Sequence, residues 1–345
     1  MFRDVSKRYG GVVAVDNVSF SIKRGTLVTL LGPSGCGKTT TLRLIAGLEM
    51  ASSGVIEIGG RDVTRLSAAD RNVSMVFQSY ALFPHMSLLD NAAYGPVVSG
   101  VPKPEAHAMA REKLALLGLG GFENRLPSEL SGGQQQRVAV ARALVLEPEV
   151  LLFDEPLSNL DAKLRRRVRD EIRELQQRLR LTVAYVTHDQ QEALAVSDEI
   201  IVMSNARIAQ IGRPRELYEE PASAFVADFI GDSNQVVGEI VAIGDGRATL
   251  RLGDVVQEVR AHGVQTGQAK IAIRPEAISL SASQPTTPAL KCRIDKATYL
   301  GTHLEYTVES PLGALFAIDR DVQHPHAPGA TVWASLLPHG LLVVP

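Results

Sequence analysis

The chain has 345 residues, 45% of them hydrophobic, with 36 Lys and Arg against 38 Asp and Glu, so its formal net charge is -2. That length exceeds one ordinary core and predicts two domains, and the balanced charge predicts no nucleic-acid partner. Two cysteines, Cys36 and Cys292, fit a reducing compartment without a structural disulfide. The opening Met1-Phe2-Arg3-Asp4-Val5 lacks a signal-peptide apolar core, and no apolar run reaches the ~18 residues that cross a bilayer, so any membrane role is expected through a partner.

Tyr9 stands between Arg8 and Gly10-Gly11 in a polar opening, where its ring either half-buries in a turn or stacks on a nucleotide base. Val12 to Ser21 alternates like a strand, and Lys23-Arg24-Gly25 turns it into the apolar run Leu27-Val28-Thr29-Leu30-Leu31. Next comes Gly32-Pro33-Ser34-Gly35-Cys36-Gly37-Lys38-Thr39, which fits G-x-x-x-x-G-K-[ST] at every fixed position, and Thr40 to Leu48 follows as a helix. Strand, glycine turn and helix start together set a row of N–H groups around a phosphate. Lys38 then serves the β- and γ-phosphates and the Thr39 hydroxyl a Mg²⁺ ion.

Val55 to Ile58 with Gly59-Gly60 reads as a hairpin edge, and Val73 to Phe77 as a short strand ending at Gln78. The apolar, proline-broken stretch Ser79 to Met86 is either core filling or a docking surface. Pro104 to Leu117 has helical spacing. A second helix opens at Leu130-Ser131-Gly132-Gly133-Gln134, where Ser131 and Gln134 have capping-box form. The exposed N–H groups of such a start also make a second anion site. One phosphate loop with two anion-seeking helix starts predicts that the second serves a nucleotide held by another copy.

Val150 to Phe153 reads as a strand buried on both faces. Asp154-Glu155 follows at its carboxyl end, where open α/β sheets place ligands, with Asp154 turned toward Mg²⁺ and Glu155 toward a water. Leu164 to Leu179 is a charged amphipathic helix. Val183 to Thr187 is another strand, ending at His188-Asp189 on the same sheet edge, which gives His188 either a surface or a γ-phosphate role. The alternation ends with a helix near Gln190 to Ala195 and the strand Ile200 to Met203, predicting a mainly parallel sheet covered by helices. After Gly231 the pattern changes. Eight strand-like runs from Val236 to Leu337, with turns at Gly244-Asp245-Gly246, Pro311-Leu312-Gly313 and Pro328-Gly329, predict a small all-β barrel.

With these residues in hand, the chain resembles the nucleotide-binding subunits of ATP-binding cassette transporters, and Leu130-Ser131-Gly132-Gly133-Gln134 matches their signature motif. Ile273-Arg274-Pro275-Glu276 and Tyr299-Leu300-Gly301 are similar to motifs of the oligonucleotide/oligosaccharide-type (TOBE) barrel that ends many importer ATPases, those for polyamines, ferric iron and phosphonates more than those for sugars. The resemblance implies an α/β phosphate-loop cassette at 1–231, with a helical subdomain at about 88–146 and an OB-like barrel at 235–345.

The resemblance also implies roles for individual residues. Tyr9 stacks on adenine; Gly32, Pro33, Ser34, Gly35, Cys36, Gly37, Lys38, Thr39, Thr40 and Gln78 bind ATP; and Thr39, Gln78 and Asp154 hold Mg²⁺. Glu155 is the catalytic glutamate, aided by His188 and Lys38. Ser131, Gly132, Gly133 and Gln134, with Asp161 in the crossing loop Ser158-Asn159-Leu160-Asp161, reach ATP on the other protomer of a homodimer. Tyr80, Ala81, Leu82, Phe83 and Pro84 dock transmembrane permease subunits, which receive solute from a solute-binding protein, so the chain sits on the cytoplasmic face of the membrane. In this family the first strand normally begins before Phe2, so either that strand is short here or the start lies upstream. Rival classes are a cassette ATPase acting on nucleic acid and a solute-regulated switch. The nucleic-acid-type members carry a coiled-coil insertion or tandem phosphate loops, and neither is present.

Overall fold

A computed structural model describes residues 1–158, 160–260 and 264–344. The chain divides into two compact units, Met1–Pro214 and Arg215–Pro345.

The first unit opens with β1 (Phe2–Tyr9) and β2 (Val12–Phe20), followed by the fully buried β3 (Leu27–Leu31) and helix α1 (Lys38–Ala46). Strands β4 (Ser53–Ile58), β5 (Arg61–Asp62) and β6 (Val73–Val76) lead to three helices, α2 (Leu88–Val98), α3 (Lys103–Leu116) and α4 (Gly132–Leu144). The alternation resumes with β7 (Val150–Asp154), α5 (Ala162–Leu179), β8 (Val183–Val186), α6 (Gln190–Val196), β9 (Glu199–Ser204) and β10 (Arg207–Gly212).

Two sheets result. One is antiparallel, in the order β2-β1-β4-β5; the other runs β10-β9-β3-β8-β7-β6 and is parallel except for β10. Apolar runs without alternation form the central strands because both of their faces are covered. On one face Leu30, Leu152, Val186 and Ile201 pack with Leu42 and Ile45 of α1; on the other Leu151, Phe153 and Tyr185 pack with Val140 of α4 and Ile172 of α5. Leu88, Ala92, Ala106, Leu114 and Val138 give α2, α3 and α4 a separate small core. The polar opening is a strand after all. β1 lies between β2 and β4, with Phe2 and Val5 buried and Phe2 stacked on Phe20 at 4.6 Å.

The second unit begins with the short helices α7 (Pro214–Glu219) and α8 (Ala224–Phe229). Ten strands follow: β11 (Asn234–Gly244), β12 (Arg247–Leu252), β13 (Val255–Arg260), β14 (Gly267–Ile273), β15 (Ile278–Ser281), β16 (Leu290–Tyr299), β17 (Leu304–Ser310), β18 (Gly313–Asp319), β19 (Thr331–Leu336) and β20 (Leu341–Val344). They make two five-stranded antiparallel sheets, β13-β12-β11-β14-β20 and β15-β19-β16-β17-β18, closed on one core that includes Leu250, Ile271, Tyr306, Val308 and Val332. This is the OB-like barrel. Arg274 is its buried anchor: Nη1 donates to the carbonyls of Ala227 (2.6 Å) and Gly231 (2.5 Å), Nη2 donates to that of Tyr218 (2.9 Å), and the guanidinium lies 4.1 Å from the Tyr218 ring. The carbonyl of Asp232 (3.0 Å) is a fourth acceptor, so both Nη groups are satisfied and tie the two short helices to the strands, while Nε is buried without a partner among the described residues.

Candidate active site

The sheet's central strands end side by side, and the candidate residues follow directly from them. After β3 the loop 32–37 turns into α1. A Cβ on Gly32 would lie 2.3 Å from the Met203 carbonyl oxygen. On Gly37, whose φ is +105°, it would lie 2.4 Å from that of Ala14. Glycine is therefore required for the loop to seat against β9 and β2 while opening the helix. Pro33, Ser34 and Gly35 are exposed at its tip, whereas Cys36 is buried and burial pushes its thiol pKa up. Lys38 is buried beneath the loop, its Nζ donating to the carbonyls of Gly32 (2.8 Å) and Pro33 (2.9 Å). Thr39 and Thr40 follow in the first helical turn, half-buried.

At the end of β7 the Asp154 carboxyl is held above its ordinary pKa by burial, with the Glu155 charge adding to the effect. Glu155 adopts φ +46°, a left-handed conformation that costs a non-glycine residue of order 1–3 kcal/mol and clusters at functional sites. Its backbone N–H donates to the Val186 carbonyl (3.0 Å), and its own carbonyl accepts from the Ser158 hydroxyl (3.0 Å), so the turn is fixed from both sides. This geometry sends the Glu155 side chain to His188, whose Nδ1 lies 3.0 Å from Oε2. A carboxylate only accepts, so Nδ1 carries the proton. The structure thus joins two residues that sequence had linked only by their place on one sheet edge.

Three residues behind this pair were not singled out from sequence. Glu192 is buried and burial raises its carboxyl pKa; it accepts hydrogen bonds from the Tyr185 hydroxyl and from Thr187 Oγ1 (3.1 Å). Arg165, on α5, reaches both the Leu160 carbonyl and Asp189. The spacing from Asp189 to Glu192 is a capping signal, and Asp189 does cap α6, accepting from the Glu192 N–H (2.9 Å). No sequence pattern foretells Tyr185 or Arg165, since their partners are distant in the chain.

The capping box at Ser131 and Gln134 forms: Ser131 Oγ accepts from the Gln134 N–H (3.4 Å), and Gln134 Oε1 from that of Ser131 (3.0 Å). A Cβ on Gly133 would meet Val168 at 3.3 Å and Leu164 at 3.4 Å, so glycine there brings α4 close against α5. Asp161 caps α5 through the N–H groups of Lys163 (3.1 Å) and Leu164 (3.0 Å). Asn159 lies outside the described residues. Tyr9 ends β1, is 44% exposed and has Lys7 Nζ 4.6 Å from its ring centroid, an aromatic of the kind a base stacks on.

Gln78 is exposed just after β6. In the stretch beyond it, Tyr80 and Ala81 have positive φ, and their carbonyls accept from the fork of Arg142 at 2.8 and 2.7 Å. Tyr80 is buried and anchors the loop within the core, while Ala81 and Pro84 are exposed and Leu82 and Phe83 half-exposed. The Phe83 ring lies 4.6 Å from Tyr94. Together with Phe77, Gly95 and Leu146 they line an open groove of about 460 Å³. Of the sequence alternatives, core filling holds for Tyr80, while the rest of the loop is at least partly open to solvent.

Phosphate loop, acidic strand end and capped glycine helix start occur here on one cassette fold, and the comparisons agree with it. The ABC transporter family pattern matches residues 15–158 and the TOBE domain pattern residues 271–344. The chain is 57% identical over 344 residues to the Fe(3+) ions import ATP-binding protein FbpC 1 of Rhizobium meliloti, covering 100% of this chain and 97% of the relative. It is 52% identical over 307 residues to FbpC of Escherichia coli, covering 89% and 86%. Among solved structures, the dimeric bacterial ABC transporter cassette MJ0796 aligns with TM-score 0.54 and 31% identity over 62% of this chain and 98% of that one. CbiO1 from Clostridium perfringens, part of the ABC transporter complex cbiONQ, aligns with TM-score 0.59 and 29% identity over 64% and 90%. The chain belongs to the ATP-binding subunits of ABC importers that carry a C-terminal TOBE domain. It is an ATPase whose hydrolysis powers import.

Proposed function

We propose that two copies of the chain sandwich two ATP molecules, each held by the phosphate loop of one copy and by Ser131, Gly132, Gly133 and Gln134 of the other. Lys38 supplies charge to the β- and γ-phosphates, the loop N–H groups from Gly32 to Thr40 cradle them, and Tyr9 stacks on the base. Thr39, Gln78 and Asp154 offer the oxygen ligands a Mg²⁺ ion takes. A half-buried carboxyl disfavoured as an anion, as Asp154 is, is a fitting site for a cation that compensates its charge. When bound, Mg²⁺ offsets phosphate charge as the bond to the leaving oxygen breaks.

Glu155 takes the proton of the attacking water. His188 holds Glu155 in direction through the 3.0 Å hydrogen bond and, with Lys38, serves the γ-phosphate. That hydrogen bond carries the reading. Glu155→Gln keeps the shape and removes the base, so it should lower turnover by at least about 100-fold while ATP affinity stays within about three-fold. Hydrolysis at the parent rate would remove Glu155 from the role.

The cassette domain on this reading is 1–231, with its helical subdomain at about 88–146, and the TOBE-like domain is 235–345. Gln78 and the exposed part of the loop 80–84, with the groove beside it, receive a transmembrane permease, placing the chain peripherally on the cytoplasmic face. The naming of its relatives as Fe(3+) importers points to ferric ion as the solute, delivered by a solute-binding protein. ATPase stimulation that requires both the permease and the iron-loaded binding protein supports this. Direct stimulation by free ferric ion would instead make the chain a sensor.

A further inference from the structure

Arg165, on α5, lies on neither of the loops that carry the catalytic pair, yet it touches both. Glu155 and His188 sit on separate loops, the first leading into Leu160 and Asp161, the second into Asp189. Each loop is braced internally. Ser158 returns to the Glu155 carbonyl and Leu160 N–H to that of Leu157 (3.2 Å). On the other loop the Asp189 N–H donates to Thr187 Oγ1 (3.1 Å), which in turn donates to Glu192. Such bracing fixes each loop's own shape, and the Glu155 N–H to Val186 carbonyl bond (3.0 Å) joins the two loops at their bases, leaving open the gap between Leu160 and Asp189 farther out. Arg165 spans it, with Nη2 donating to the Leu160 carbonyl at 3.1 Å and Nη1 facing Asp189 Oδ2 at 3.4 Å. A planar fork can hold two acceptors in fixed relation, which a single ammonium cannot. The Arg165 Nε is buried without a partner among the described residues, so the two Nη contacts carry the placement of the side chain.

We infer that Arg165 is a positioning residue for hydrolysis: it clamps the loop after Glu155 to the loop after His188 beyond their strand-end bond, and so steadies the geometry in which the two side chains meet. The inference rests on the proposed roles of Glu155 and His188. A clamp touches neither nucleotide nor water, so its loss should appear in turnover and leave ATP binding alone. Because Leu160 and Asp161 lie in the loop that the dimer reading sends toward the second copy, the same clamp carries a displacement of that loop to His188.

The test is steady-state ATPase kinetics on the full chain, with Glu155→Gln measured beside Arg165→Gln, Arg165→Lys, Asp189→Asn and the double variant Arg165→Gln/Asp189→Asn. Asp189→Asn keeps an oxygen for the α6 cap and removes only the charge that Arg165 faces. Arg165→Gln should lower kcat about ten-fold with KM for ATP within about two-fold. Arg165→Lys, which keeps the charge but not the fork, should fall between it and the parent, and serves as the reading if Arg165→Gln lowers the melting temperature. The double variant should be no slower than Arg165→Gln by more than about two-fold, since both changes break one contact. The inference is overturned by a kcat for Arg165→Gln or Arg165→Lys equal to the parent's, by a KM that rises as kcat falls, or by losses that multiply in the double variant. If Glu155→Gln retains the parent rate, the underlying assignment fails instead, whatever the Arg165 variants do.

Discussion

Among single residues, Asp198 links the sheet to α5. Its carboxylate takes both Nη atoms of Arg173, at 2.6 and 3.0 Å, and the Leu27 N–H at 2.8 Å. Burial pushes its pKa up, but these hydrogen bonds and the Arg173 charge outweigh it, and the net shift is downward from 3.8. A lowered folded value means the stabilisation is complete above the unfolded value, near 3.8, and is lost as pH falls through the folded one. Asp198→Asn should therefore cost about 1–3 kcal/mol at pH 7 in urea unfolding, and the difference from the parent should shrink below about pH 4. Cys36 yields another prediction. Its burial and raised pKa disfavour the thiolate that reacts, so iodoacetamide should label it slowly in the folded chain. ATP over the loop should slow it further, and inactivation should track Cys36 and be unchanged in Cys292→Ser. Glu155 and His188 were legible as sequence neighbours of strand ends, but their 3.0 Å contact depends on the left-handed turn at Glu155, which no neighbouring residue announces.

The helix start at Ser131 is a cap, and one substitution separates that role from the proposed contact with the other copy. Ser131→Ala removes the cap on α4 and should cost about 1 kcal/mol in stability. If Ser131 also meets a phosphate of the other copy, turnover should fall well beyond what that loss explains; a normal rate would leave it a cap only. Elements with a strong period or a fixed motif were readable before the fold was seen: the buried runs of β3 and β7, α5, and the eight strand-like runs of the barrel. The first strand was legible only through the family resemblance. Arg3, Asp4, Ser6, Lys7 and Arg8 hide the buried Phe2 and Val5, and Asp4 at φ +49° breaks the alternation where the pairing with β2 shifts register. Helix α2 was covered only by the subdomain range, because Gly95 and the internal Pro96 argue against a helix locally. Packing of Leu88, Leu89, Ala92 and Ala93 overrides them.

For the whole molecule, two cassettes sharing each ATP explain why the chain carries one phosphate loop and a second helix start suited to an anion. This was legible as a mismatch in number, whereas the clamp at Arg165 was not, because Leu160 and Asp189 come together only through the sheet order that sets β7 beside β8. The most direct measurement is the molar mass of Glu155→Gln by light scattering with and without ATP, alone and combined with Ser131→Asp, which keeps a capping oxygen and sets a carboxylate at the exposed start of α4, where the γ-phosphate of the other copy should meet it. Composite sites predict an ATP-dependent doubling from 37.2 kDa for Glu155→Gln and no ATP-dependent change for the combined variant. A mass that ignores ATP in Glu155→Gln, or that doubles equally in both variants, would contradict the account.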